Sequence, residues 1–234
     1  RNFKNQKVNL RRLNISNNKL NREKLKTEEL LHNILPIEVA NELKANGFSE
    51  AKQYEHVTVL FTDFVNFSGI SESLSPKELV TEIDLCFKAF DGIMQQYKLE
   101  KIKTIGDAYL AVAGLPKANE HHAIDAINAA KDLVDFMQKT DSVFGVKSKH
   151  KAGIRIGIHS GPVVAGIVGV KKFAYDIWGD TVNTAARMEQ NSEAGKINVS
   201  NTTYELAKNH FSFESRGKIP AKNKGMIEMY FLKQ

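Results

Sequence analysis

Residues 102–113 constrain the fold more than any other part of this sequence. Ile102 and Thr104 lead into Gly106-Asp107, and the apolar run 109–113 follows. A Gly-Asp pair between two such runs predicts a tight β-hairpin. Long stretches of helical periodicity lie on both sides. Leu79, Ile83, Phe87, Phe90 and Met94 recur through 76–97, and Ala123, Ile127, Ala130, Val134 and Met137 through 120–139. A buried strand is predicted at 56–61, running into Asp63. A second is predicted where Ile154, Ile156 and Ile158 alternate with Arg155 and Gly157. Gly161-Pro162 is expected to turn the chain into a further run at 163–168. Asp180 reads as the N-cap of a helix over 181–190. Strand, helix, strand and strand are expected at 196–199, 200–209, 212–216 and 226–232. Hairpins mixed with packed helices specify an α+β fold rather than a doubly wound parallel sheet.

The N-terminal stretch has a different character. Residues 8–45 contain no Gly and one Pro, Pro36. In a heptad frame, Leu10, Asn17, Lys24 and Leu31 fall on one seam position, and Leu13, Leu20, Thr27 and Ile34 on the other. Five of these eight are apolar, so a weak coiled coil is expected. Pro36 should end it, and a short helix at 37–46 should close on Gly47. The expected division is a dimerising and signalling helix with linker at 1–46 and a main domain at 47–234.

The net charge of +6 suggests a polyanionic partner. Nine of the 33 Lys and Arg lie in residues 1–26, against one acid, Glu23, while the remainder is slightly acidic. That distribution argues against a nucleic-acid-binding body. The chain begins at Arg1 rather than Met, so a fragment of a longer parent is expected, with an upstream sensor or membrane region. A cytoplasmic location is expected for this segment, in a parent that a membrane span could anchor. No stretch of ~18 apolar residues occurs. The single cysteine, Cys86, excludes an internal disulfide and a thiolate-rich zinc site.

Common nucleotide and hydrolase motifs are missing. There is no P-loop, no G-x-G-x-x-G, no H-E-x-x-H and no G-x-S-x-G. His121-His122 reads as a solvated helix terminus and His159 as structural. Two carboxylates, Asp63 and Asp107, each sit where a buried strand meets a turn. Such positions suit a divalent cation held by hard oxygen ligands. They equally suit ordinary turn aspartates.

Five ordered blocks bear on that choice. They are Val59-Leu60-Phe61-Thr62-Asp63-Phe64-Val65-Asn66-Phe67-Ser68, then Lys101 to Tyr109, then Gly157-Ile158-His159-Ser160-Gly161-Pro162. Tyr175-Asp176-Ile177-Trp178-Gly179-Asp180-Thr181-Val182-Asn183 through Arg187-Met188 follows, with Arg216-Gly217 and Lys222-Asn223-Lys224-Gly225 at the end. This sequence resembles the catalytic domain of class III nucleotidyl cyclases from about Tyr54 to Leu232. Asn33-Ile34-Leu35-Pro36 resembles the linker helix that often precedes such domains.

The resemblance implies a cyclase fold with a ferredoxin-like βαββαβ core. It implies that Asp63, Asp107 and the Phe64 carbonyl bind two Mg²⁺ (or Mn²⁺) ions. Asn183 would orient the ribose, Arg187 would stabilise charge at the α-phosphate, and Lys222 would contact the terminal phosphates. Asn223 stands where the family often has Gly, which leaves Lys224 as an alternative to Lys222. Lys103 and Asp176 would select the base. A donating lysine and an accepting aspartate complement N1 and the N6 amino group of adenine, whereas guanylyl-type members usually carry Glu and a small residue there. ATP is therefore the expected substrate, with cyclic AMP and pyrophosphate as products. The active site is expected to be shared across a homodimer. A guanylate cyclase and a non-catalytic dimerisation or regulatory module of the same fold are the alternatives.

Overall fold

The structure is a computed structural model, and it describes residues 2–139, 153–169 and 172–233. The chain divides into two compact units, Arg1–Glu50 with Ile167–Tyr175, and Ala51–Gly166 with Asp176–Gln234. In the first, α1 (Asn2–His32) is followed by α2 (Ile37–Asn46). The break falls at Pro36, which takes an extended conformation before α2, and Gly47 closes α2 at φ 79° with its N–H on the Leu43 carbonyl. A left-handed cap of this kind favours glycine. Lys44 and Glu28 tie the two helices at 3.2 Å. Leu13, Leu20 and Ile34 of the heptad seam are exposed, while the Leu10 side chain lies outside those described.

The second unit is built on one mixed sheet. In chain order come β1 (Lys52–Val65), α3 (Phe67–Ser73), α4 (Pro76–Gln96), β2 (Leu99–Ile105), β3 (Ala108–Ala113), α5 (His122–Lys139) and β4 (Gly153–Val168). Then follow β5 (Ala174–Trp178), α6 (Asp180–Gln190), β6 (Ile197–Ser200), α7 (Asn201–Ala207), β7 (Phe213–Ala221) and β8 (Gly225–Leu232). The strand order is β2-β3-β1-β4-β6-β8-β7, with β5 paired to β4. Its first four strands, with α4 and α5, form the expected βαββαβ core of an α+β fold.

The two faces of this sheet have different tasks. Leu60, Tyr109, Ala111, Ile154, Ile156 and Ile158 point to one side and form a core with Phe90 and Met94 of α4 and Ile127 and Leu133 of α5. Both helices follow their apolar periodicity. A capping box between Ser75 and Glu78, with Pro76 in the first turn, starts α4. On the other side α6 lies against β4 at Gly157. A Cβ there would overlap the Glu189 backbone nitrogen, so only glycine permits the approach.

Three expectations are corrected. Gly161-Pro162 does not turn the chain, because β4 runs unbroken from Gly153 to Val168. The register shift on β1 between Tyr54 and Val57 lies opposite Pro162, where the ladder requires no N–H from it. Asp180 is not the N-cap of α6. Gly179 takes that place with φ 141°, and no side chain caps the helix. Asp180 is instead paired with Lys224. His122 is buried rather than solvated. Its Nδ1 lies 2.6 Å from the Thr58 hydroxyl, the first link of a buried chain of hydroxyls. Thr58 and Ser160 meet at 2.7 Å, Ser160 and Thr203 at 3.0 Å, and His159 Nδ1 and Ser200 at 2.7 Å. Helix α3 and strand β5 were not foreseen, being short and weakly patterned.

Candidate active site

Strand β1 delivers Asp63 to the α6 side of the sheet, directly opposite Arg155 on β4. The neighbouring Phe64 points the other way. Its ring stacks among Phe67, Phe87 and Phe90 at centroid distances of 6.1–6.2 Å, which leaves only its backbone for chemistry. Gly106-Asp107 forms the two-residue turn between β2 and β3, with Ile105 paired to Ala108. Gly106 has φ 64°, which a residue without Cβ adopts readily. Asp107 is thereby held at a rigid hairpin tip.

Asp63, Phe64 and Asp107 line one open cleft of about 570 Å³, with Asn66, Ser68 and Arg155. Burial first, and the nearby Asp63 carboxylate second, hold the Asp107 carboxyl above the usual carboxylate range. Arg155 donates to Asp63 at 2.6 Å and also pairs with the buried Glu189 of α6. Burial raises Glu189, and Arg155 counters that shift. Arg155 and Glu189 were not foreseen as site residues. The position of Arg155 among the apolar residues of an alternating strand was the one available signal, and it did not name Asp63 as the partner.

This donor set fits a hard divalent cation. It offers two partly buried carboxylates and a backbone carbonyl. Among the described residues no group of three or more His, Cys, Asp and Glu is placed to hold a metal ion by itself. A cation bound here would take its remaining ligands from water and substrate phosphates, which is how Mg²⁺ is commonly held.

The other candidate residues assemble separately. Lys103 of β2 meets Asp176 of β5 at 2.5 Å, and the second Asp176 oxygen accepts the Ile177 N–H at 2.8 Å. On α6, Arg187 donates from Nε to the Lys222 carbonyl at 3.1 Å and from a terminal nitrogen to Gln190 at 2.5 Å. Asn183 is exposed. Lys222 lies in the β7–β8 turn, where Asn223 has φ 64°. This is the left-handed conformation for which the glycine of related turns is suited. Lys224 is tied to Asp180.

Helix geometry explains the separation. Glu189 follows Arg187 by two residues, roughly 200° around the helix axis. The face of α6 bearing Glu189 therefore looks toward Arg155 and Asp63, while Asn183 and Arg187 look away. Within one chain the candidate metal ligands share a cleft that neither Asn183, Arg187 nor Lys222 lines.

The family model of the adenylate and guanylate cyclase catalytic domain matches residues 49–234. Atrial natriuretic peptide receptor 2 of Homo sapiens is 40% identical over 90% of this chain and 20% of its own length. An adenylate cyclase of Mycobacterium tuberculosis is 37% identical over 88% of this chain and 46% of its own. The chain thus spans less than half the length of either relative. The crystal structure of the guanylate cyclase domain of RhGC from Catenaria anguillulae, in complex with GTP, superposes with a TM-score of 0.74. It is 37% identical, with 78% of this chain and 98% of that chain covered. Sequence, fold and the paired carboxylates converge: this chain belongs to the class III nucleotidyl cyclases, as an adenylate and guanylate cyclase catalytic domain.

Proposed function

We propose that this domain is an adenylate cyclase, converting ATP to 3′,5′-cyclic AMP and pyrophosphate at two equivalent sites shared across a homodimer. The observation that carries the choice of base is the Lys103–Asp176 pair. A donor and an acceptor side by side match the N1 acceptor and N6 donor of adenine and oppose the reversed pattern of guanine. Mismatch would set a donor of this pair against a donor of the base and an acceptor against an acceptor. Overall identity is a poorer guide, because a receptor-type guanylate cyclase of Caenorhabditis elegans lies at 40% and an adenylate cyclase of Mycobacterium tuberculosis at 37%.

Asp63, Asp107 and the Phe64 carbonyl would hold two Mg²⁺ or Mn²⁺ ions. Bound there, the ions supply Lewis acidity to the ribose 3′-hydroxyl and neutralise the triphosphate. Arg155 holds the Asp63 carboxylate toward the cleft. Asn183 hydrogen-bonds the ribose and keeps its 3′-oxygen in line with the α-phosphorus. Arg187 donates to the α-phosphate oxygens as charge builds there, a task suited to a planar and always protonated group. Lys222 carries the terminal phosphates at the exposed hairpin turn.

The opposed faces of α6 support sharing between two copies. Asp63 and Asp107 of one copy would meet Asn183 and Arg187 of the other about a two-fold axis. Residues 1–46 would link the two copies and relay the state of an upstream region.

The test is incubation of the purified chain with ATP or GTP and Mg²⁺ or Mn²⁺, with products separated by chromatography. Cyclic AMP from ATP is expected to dominate. Predominant cyclic GMP would replace the reading with guanylate cyclase. No product from either nucleotide would favour a non-catalytic module.

A further inference from the structure

Lys101 and Lys103 stand two residues apart on β2, and on an uninterrupted strand they would share a face. They do not. Lys101 pairs with Ala111 and Lys103 with Leu110, which are successive residues of β3. One residue of β2, Ile102, therefore has no partner of its own and forms a β-bulge. The bulge sends the two lysines to opposite sides of the sheet. Ala111 belongs to the core under α4 and α5, and Lys101 on that side reaches Asp91 of α4 at 2.8 Å. Leu110 pairs with Phe61, and Phe61 with Gly157, against which α6 packs. Lys103 is on that second side, where it meets Asp176.

The half of β2 before the bulge is clamped. The Asp91 carboxylate receives the Lys101 ammonium on the same oxygen to which the Tyr109 hydroxyl donates at 2.7 Å. The ammonium also lies 5.2 Å from the centre of the Tyr109 ring, a cation–π distance. Leu99 is buried two residues earlier. A slip that erased the bulge while keeping Leu99 and Lys101 in place would set Ile102 opposite Leu110 and Lys103 opposite Tyr109. Lys103 would then point under α4, on the wrong side of the sheet for Asp176.

We propose that Asp91, Lys101 and Tyr109 are positioning residues for base selection: their clamp fixes the register of β2 so that the bulge at Ile102 presents Lys103 to the purine. The proposal rests on the reading of Lys103 and Asp176 as the base-selecting pair. All three clamp residues lie on the α4 side of the sheet, opposite to Lys103. Their effect reaches the purine through the direction of one side chain.

The experiment compares kcat/KM for ATP and GTP in the full chain and in Asp91→Asn, Lys101→Met, Lys101→Arg and Lys103→Met. Competition binding with 3′-deoxy-ATP and 3′-deoxy-GTP gives a second readout that requires no turnover. Lys103→Met is expected to lower the ATP-to-GTP ratio by tenfold or more. Asp91→Asn and Lys101→Met should lower it at least fivefold, mainly through KM for ATP, while Lys101→Arg retains most of the preference. Combining Asp91→Asn with Lys103→Met should lower the ratio no further than Lys103→Met alone. Should Asp91→Asn fail to fold, the partly exposed Lys101 variants carry the same comparison. If Lys103→Met changes the ratio but the clamp variants lower kcat for both nucleotides alike, the clamp proposal is overturned by itself. If Lys103→Met leaves the ratio unchanged, the base-selection reading fails and the proposal falls with it.

Discussion

Arg155 is the residue on which the charge balance of the site turns. Its guanidinium holds Asp63 and Glu189 together, and Asp63 is one cause of the raised Asp107 carboxyl. Replacing Arg155 with Met leaves Glu189 buried without its cation and Asp63 free to swing. A stability loss on the order of 1–2 kcal/mol is expected, discounted for the partial exposure of the pair. Activity should fall at least ~10-fold, equivalent to about 1.4 kcal/mol in the barrier. Urea unfolding and initial rates check both. At the same scale, Lys103→Glu with Asp176→Cys should shift use from ATP toward GTP, since it exchanges a donor and an acceptor at the purine edge. Product ratios from mixed nucleotides measure the change, and an unaltered ratio would sink the base assignment. Asp63, Asp107, Lys103 and Asp176 could be named as candidates from the sequence because each sits in a block that resembles the family. Arg155 could not, because its partner Asp63 is 92 positions away.

At the scale of elements, α6 is held on the sheet by the absence of one carbon. Gly157→Ala would force Glu189 away from β4. The expected cost is on the order of 3 kcal/mol, and activity should fall further than stability, because Asn183 and Arg187 ride on the displaced helix. Denaturant midpoints beside kcat separate the two effects. The buried hydroxyl chain gives a pH dependence. Burial holds His159 down to about 4, with Asp180 partly opposing the shift and Lys224 adding to it. Burial, and then the nearby His56, lower His122. Both are neutral in the folded chain at pH 7, and the unfolded chain binds protons near pH 6.5. The unfolded state therefore holds more protons below that value, and stability falls as pH drops from about 6.5 toward 4. Each group contributes up to ~1.4 kcal/mol per pH unit. Urea unfolding at pH 7.5 and pH 5 tests this, and His159→Asn should flatten the slope. The hairpin, α4 and α5 were readable from periodicity and turn chemistry. The unbroken β4 was not, because Gly-Pro signals a turn locally while its neighbour strand bulges to accept it.

For the whole molecule, the two separate candidate sets of one chain predict complementation. Asp63→Ala and Arg187→Ala should each be nearly inactive as homodimers. A verified mixed dimer should regain one working site in two, about half the wild-type rate at most. Absence of recovery would argue against sites shared across a two-fold axis. The mixed sheet carries both candidate sets, with β1 and β4 side by side near its middle.

The sequence by itself determined the α+β class and the identity of the family, and it named the candidate site residues. These depend on short-range pattern: apolar spacing, a Gly-Asp turn and contiguous motifs. Only the tertiary structure decided that Asp63 and Asp107 share a cleft, that Arg155 lines it and pairs with Glu189 behind it, and that α6 turns Glu189 away from Asn183 and Arg187. It alone showed that one unpaired residue at Ile102 sends Lys101 and Lys103 to opposite sides. The physical reason is that register and helix rotation are set by packing between distant segments, and no local pattern records which way a side chain will finally point.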